Sequence, residues 1–143
     1  MRPEGPGIEV TRDIAACQRL RRAVFIEEQG VSEAEELDGL DEAAIHLLAL
    51  DGGRPVGTAR LLVRGATGKI GRVCVLPEAR GTGLGAALIR AALAELRGMP
   101  GVAEAYLGSQ SHATGFYEKL GFAVEGEEFL DAGIPHRHMR RAL

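Results

Sequence analysis

A chain of 143 residues, 45% hydrophobic and 26% charged, fits one globular domain over residues 1–143 and can fold without disulfides or a structural metal. A formal net charge of -3 argues against a general nucleic-acid binder. No apolar run approaches the roughly 20 residues of a membrane span, and residues 1–7 lack the apolar centre of a secretory leader, so the expectation is a cytoplasmic protein without nucleic-acid or membrane partners.

Gly5, Pro6 and Gly7 read as a loose start before a short strand over 8–10. Thr11 is placed to cap a helix running to about Phe25, with Ile14, Cys17, Leu20, Val24 and Phe25 near a 3.6-residue stripe. Residues 27–42 hold eight carboxylates and no Lys or Arg, with Gly30 and Gly39, and read as a loop around a broken second helix. The run is expected to be a solvated face, the alternative being a surface that recruits a cationic amine.

Strands follow at 45–50, 56–63 and 69–76, joined by glycine-containing turns at 51–53 and 64–68. His46 reads as a core or edge residue of the first of these. Pro77 stops the third strand, and a helix is predicted over 83–97, its buried stripe Leu84, Leu88, Ala91, Ala92 and Leu96. A strand over 102–107, a helix over 111–120 ended by Gly121, and two strands around a turn at 131–135 complete the chain. The order is that of an α/β sandwich with a mixed sheet, not an alternating βα wind.

The most informative segment is Arg80, Gly81, Thr82, Gly83, Leu84, Gly85 and Ala86, between a strand and the longest predicted helix. Alternating glycines admit a ligand to the backbone. The first N–H groups of a helix lack intrahelical partners and sit at the positive end of its dipole, a setting suited to a diphosphate. Arg80 adds a cation at the edge. A P-loop would need Gly-Lys-Ser/Thr here, which is absent. Gly81, Gly83 and Ala86 fit a dinucleotide fingerprint, but three antiparallel strands precede them instead of a first βαβ unit.

Arg80-x-x-Gly83-x-Gly85 resembles the Q/R-x-x-G-x-G/A signature of the GNAT N-acetyltransferases, and Phe116, Tyr117, Glu118, Lys119, Leu120, Gly121 and Phe122 are similar to the FYxKxGF segment of that family. Val24, Phe25, Ile26, Glu28, Gln29, Asp38, Gly39 and Asp41, with Gly133, Ile134, Pro135, His136 and Met139, resemble the ElaA-like branch. The resemblance implies a mostly antiparallel, V-splayed sheet of about seven strands flanked by about four helices. It implies acetyl-CoA as cosubstrate, its pantetheine arm against backbone groups of Val73, Cys74 and Val75, and its pyrophosphate on Arg80, Gly81, Thr82, Gly83, Gly85 and Ala86. Gln110 and Tyr117 complete the implied coenzyme site. The acceptor would be an amine on a small molecule or peptide, and a homodimer is an expectation by analogy.

The implied reaction is direct attack of an amine on a thioester. Tyr117 is by family position the acid that protonates the leaving sulfur; against that, it could be a core aromatic, a need Phe116 beside it already meets. Val75 N–H is a candidate to polarise the carbonyl. The predicted strand before the glycine turn carries no carboxylate, so Glu28 is the candidate base and His112 the second; a water relay without a dedicated base stays open. The alternative to an enzyme is a non-catalytic acyl-CoA sensor of the same fold. Cys17 and Cys74 form no CxxC pair and read as buried thiols, with a nucleophilic Cys74 as the other option. His136 and His138 alternate on one strand face but lack a third ligand, so no metal is expected.

Overall fold

The structure is a computed structural model that describes residues 7–143; the loose start read at Gly5 and Pro6 lies outside them. Among the described residues seven strands form one sheet: β1 (Gly7–Thr11), β2 (Ile45–Asp51), β3 (Arg54–Arg64), β4 (Thr67–Val75), β5 (Glu104–Gln110), β6 (Ala123–Asp131) and β7 (Ile134–Ala142). Their spatial order is β1-β2-β3-β4-β5-β7-β6. Neighbours run antiparallel except β4 and β5. The helices are α1 (Ile14–Arg21), α2 (Glu33–Glu36), α3 (Leu84–Arg97) and α4 (Thr114–Glu118). The mixed, mostly antiparallel sheet with four helices expected from the sequence is the one that folds.

Two local expectations give way. Asp13, not Thr11, caps α1: its carboxylate accepts the Ala16 N–H, while the Thr11 hydroxyl accepts the N–H of Asp13 itself. Past Arg21 the chain widens into a π-helical turn over Arg22–Glu28, which keeps Val24 buried. Such a turn is rare in sequence-regular helices and frequent at functional sites.

The helix α3 is the spine of the larger core. Leu84, Leu88, Ala92 and Leu96 are buried as the stripe predicts, and Ile89 and Leu93 join them because α3 packs on β2, β3 and β4 together. Each fully buried aliphatic contributes roughly 1.5–3 kcal/mol. The approach is close enough that Gly68 is required: a Cβ there would lie 2.4 Å from Leu96 Cδ2. Gly68→Ala should therefore destabilise the fold by about 1–3 kcal/mol through overpacking, read as a lower urea midpoint at unchanged slope.

The acidic segment is a solvated face only in part: Glu27, Glu28, Glu33, Glu35, Asp38 and Glu42 are exposed, while Glu36 and Asp41 are buried. Arg21 and Glu36 are both buried and paired, and Arg21 also donates to Asp41 at 2.8 Å. Arg60 spans Asp38 at 2.7 Å and Asp41 at 3.2 Å, and Arg72 reaches Asp38 at 3.2 Å. These pairs clamp α2 and the turn after it onto β3 and β4. The Arg60 hydrogen bonds hold the Asp38 carboxyl down at about 2, and the bonds from Arg21, Gln18 and Arg60 hold Asp41 lower still against its burial. Depressed carboxyls stabilise the fold fully above their unfolded values near 4 and lose that contribution as pH falls through the folded ones. Stability should therefore be flat from pH 7 to 5 and decline from about pH 4 toward 2, and an Asp38→Asn variant should show a shallower decline in acid unfolding curves.

Candidate active site

The parallel pair is short. Thr67, Gly68 and Lys69 pair with Glu104, Ala105 and Tyr106, and beyond Lys69 the two strands part. The rest of β4, from Ile70, has β3 on one side and no strand on the other. Its register against β3 shifts between Thr58 and Arg60, where β4 carries an extra residue, and Arg72 stands at φ 50. This bulge bends β4 away from β5 at the point of separation. The opening is a cavity of about 410 Å³ bounded by β4, β5, β7 and β6 and by the segment from α1 to α2.

Tyr117, Val73 and Gln110 line this cavity. The Tyr117 ring stands edge-on to Phe116 at 4.9 Å and to Phe122 at 6.2 Å, and burial alone raises its phenol, so it is a proton donor at neutral pH. The expected division of labour with Phe116 is reversed, because Phe116 is 41% exposed and Tyr117 is the ring that packs on the core. Gln110 donates to Gln29 at 3.3 Å and accepts from His112 Nε2 at 2.9 Å, tying the end of β5 to the π-helical segment and engaging His112.

Beyond β4 the chain takes a short turn at Pro77–Ala79 and enters the glycine loop. Gly81 at φ 77 and Gly83 at φ 85 hold left-handed conformations that side chains disfavour. Gly83 is the N-cap of α3 and offers no side-chain acceptor. The first intrahelical bond is Ala87 N–H to the Gly83 carbonyl at 3.0 Å, which leaves the N–H groups of Leu84, Gly85 and Ala86 without an intrahelical partner. The Thr82 hydroxyl donates to the Ala79 carbonyl at 2.7 Å and so braces the loop.

Arg80 and Glu28 meet each other. The guanidinium donates to both carboxylate oxygens at 2.7 Å and through Nε to the Val75 carbonyl at 3.0 Å. The Arg80 hydrogen bonds lower the Glu28 carboxyl, which makes it a weaker base, and Glu28 is not among the cavity residues. Cys74 is buried, and burial pushes its thiol up to about 12, so it offers no thiolate at neutral pH. Cys17 is likewise buried and raised by burial. His46 is a core residue whose Nε2 donates to the Asp41 carbonyl at 2.8 Å.

The far wall is where sequence reasoning fell short. Tyr106, Phe129, His136 and His138 line the cavity as an aromatic group. Phe129 stacks on His138 with centroids 4.0 Å apart, and Tyr106 stacks on the other side at 5.3 Å while its hydroxyl bonds His138 Nδ1. The alternation of His136 and His138 was visible in the sequence; the rings that flank them come from β5 and β6, which no local pattern connects.

A family model for the acetyltransferase (GNAT) domain matches residues 12–143. The chain belongs to the GNAT acetyltransferase family. It is similar to the uncharacterized protein YyaT of Bacillus subtilis, 39% identical over 139 residues that span 95% of this chain and 93% of that one. It also resembles an uncharacterized N-acetyltransferase of the same organism, YjcF, 39% identical over 123 residues covering 85% and 87% of the two chains. Among solved structures it superposes on an acyl-CoA N-acyltransferase from Pseudomonas aeruginosa with a TM-score of 0.87 at 31% identity, over 96% of this chain and 100% of that one. Escherichia coli ElaA gives 0.83 at 29% over 95% and 99%. Acyl transfer is thus the class of chemistry for this GNAT chain. No helix of the described residues is long and apolar enough to cross a membrane.

Proposed function

We propose that this chain is an acetyl-CoA-dependent N-acetyltransferase, one domain over residues 1–143, that passes acetyl directly to a small-molecule or peptide amine. The observation that carries the reading is the alignment of two features on consecutive chain: an unpaired stretch of β4 opening onto a cavity, and a glycine loop delivering free N–H groups at the start of α3. A pantetheine arm laid along Val73, Cys74 and Val75 would add the missing strand. It would lead the pyrophosphate to Gly81, Thr82, Gly83, Gly85 and Ala86, with Gln110 flanking the arm. Tyr117 supplies the proton for the departing sulfur, and Val75 N–H is the group assigned to the thioester carbonyl.

Arg80 serves the diphosphate after leaving Glu28. The two compete in one ion pair, so Glu28 acts as the counter-ion that holds Arg80 at the loop in the free protein. An exposed pair of this kind is weak and easily exchanged for a stronger anion. Glu28→Gln should accordingly tighten coenzyme A binding by up to about fivefold in calorimetric titration. Weaker binding would remove the competition.

The test of the function itself is thermal unfolding with acetyl-CoA, coenzyme A and NAD in parallel, followed by thiol release with a set of primary amines. A ligand at a hundred times its dissociation constant adds about 2.7 kcal/mol. Shifts with both coenzyme A species, none with NAD, and amine-dependent thiol release are the expected results. Binding without thiol release in any amine would favour an acyl-CoA sensor, and no shift with either coenzyme A species would sink the reading.

A further inference from the structure

If the reaction is acyl transfer to an amine, something must take a proton from the acceptor nitrogen, and neither residue first considered for that task is placed for it. Glu28 is held by Arg80 outside the cavity. His112 lies on the exposed turn before α4 with Nε2 bonded to Gln110. The cavity wall carries a better-placed group. His136 is half-buried on β7 and lines the cavity together with Tyr117. It pairs with Gln110 across the β5–β7 register, so both side chains stand on the cavity face of the sheet. Gln110 lines the same cavity as Val73, on the stretch of β4 that has no strand partner on this side and along which the arm would lie.

The hydrogen bonding of the ring fixes its chemistry. His136 Nδ1 lies 2.7 Å from the Ile134 carbonyl oxygen. A carbonyl can only accept, so Nδ1 carries the proton and Nε2 of the neutral ring carries the lone pair. Phe129, paired with His136 across β6 and β7, flanks the ring with centroids 5.8 Å apart and limits its rotation. His138 is different: its Nδ1 meets a rotatable Tyr106 hydroxyl that can donate or accept, its face is covered by Phe129, and it lies deeper, opposite Gly108.

We propose that His136 Nε2 is the catalytic base that accepts the proton shed by the acceptor amine. The proposal rests on the acyltransferase reading above. As the amine nitrogen bonds to the acetyl carbon, the carbon–sulfur bond breaks. The nitrogen gives its proton to Nε2, and the sulfur takes the phenolic proton of Tyr117. The imidazolium and phenolate then exchange a proton through solvent, and the products are the N-acetyl amine and free coenzyme A. The charged groups that share the cavity with His136 are Glu35 and Glu36 from α2, Lys69 and Arg72 from β4, Asp131 from β6 and, when protonated, His138 on its own strand; Tyr106 and Tyr117 are its neutral titratable neighbours. Glu36 is engaged by Arg21, and its Oε1 lies 3.6 Å from Arg72 Nε.

Two measurements test the assignment. The chain has 4 histidines, so nitrogen-15 long-range NMR of histidine-labelled protein, with and without coenzyme A, can read each ring. The neutral His136 ring should be protonated at Nδ1; a proton on Nε2 would overturn the proposal. His136→Gln should lower kcat about 10²–10⁴-fold in thiol-release assays with ethanolamine and with the weakly basic trifluoroethylamine, and leave the acetyl-CoA dissociation constant within about twofold. It should also abolish the acidic limb of the pH–rate profile. The loss should appear with both amines, since either nitrogen sheds a proton as it bonds to the acetyl carbon. An unchanged kcat, or an acidic limb lost in His138→Gln and kept in His136→Gln, would overturn the base while leaving the acyltransferase standing. Failure of the unaltered protein to bind acetyl-CoA and to release thiol with either amine would bring down both.

Discussion

Tyr117→Phe should lower kcat by about 10²–10⁴-fold, the range of a general acid, and leave acetyl-CoA affinity nearly intact. The substitution removes one oxygen and keeps the ring that packs edge-on against Phe122. Burial raises the phenol above its ordinary value near 10, so the group is protonated at neutral pH and its loss there is not masked by ionisation. The expected signature is an equal drop in kcat and kcat/KM, since a proton delivered to the leaving sulfur acts only in the transition state. Steady-state thiol release together with calorimetric binding of coenzyme A provides the check. Turnover close to that of the unaltered chain would strip Tyr117 of the role and leave it as a packing residue.

The largest stability effect belongs to the ion-pair network under α2. Glu36→Ala should cost about 3–5 kcal/mol, because Arg21 would remain buried with one of its two carboxylates removed and its Nε without an acceptor. Arg21 and Glu36 are 1% and 2% exposed, so water cannot replace the missing partner. Asp41 still bonds Arg21 at 2.8 Å, but it also serves Gln18 at 2.9 Å and Arg60 at 3.2 Å. Replacing Arg21 and Glu36 together with Met and Leu should recover much of the loss, as no lone charge would remain. Urea unfolding of the single and double variants separates the two cases. A single variant within 1 kcal/mol of the parent would show that solvent reaches Arg21.

Much of this was legible in the chain. The apolar runs of β2 and β3, the glycine turn between them, and the stripe of α3 are local patterns that can be read from neighbours in sequence. The glycine loop was legible for the same reason: positive φ at Gly81 and Gly83 and a helix start without a capping side chain are local backbone facts. Other features were not. The π-helical turn after Arg21 has no propensity signature, and the β4 bulge at Arg72 is set by how β3 and α2 grip the strand.

By itself, then, the sequence determined the order of elements, the mixed sheet and the place of the glycine loop, since these depend on periods of two and 3.6 residues and on where glycine relieves the backbone. Only the tertiary structure decided which charges are spent and which are free. Eight carboxylates in one run look like a solvated surface until Arg21, Arg60 and Arg72 arrive from α1, β3 and β4 to bury part of it. Glu28 looks available until Arg80, 52 residues further on, closes on it. His136 and His138 look like incomplete metal ligands until the Ile134 carbonyl fixes one ring and Tyr106 and Phe129 enclose the other. The physical reason is the same in each case. A side chain's charge, tautomer and exposure are set by the groups that surround it in space, and in a sheet ordered β1-β2-β3-β4-β5-β7-β6 those groups come from strands far apart in the chain.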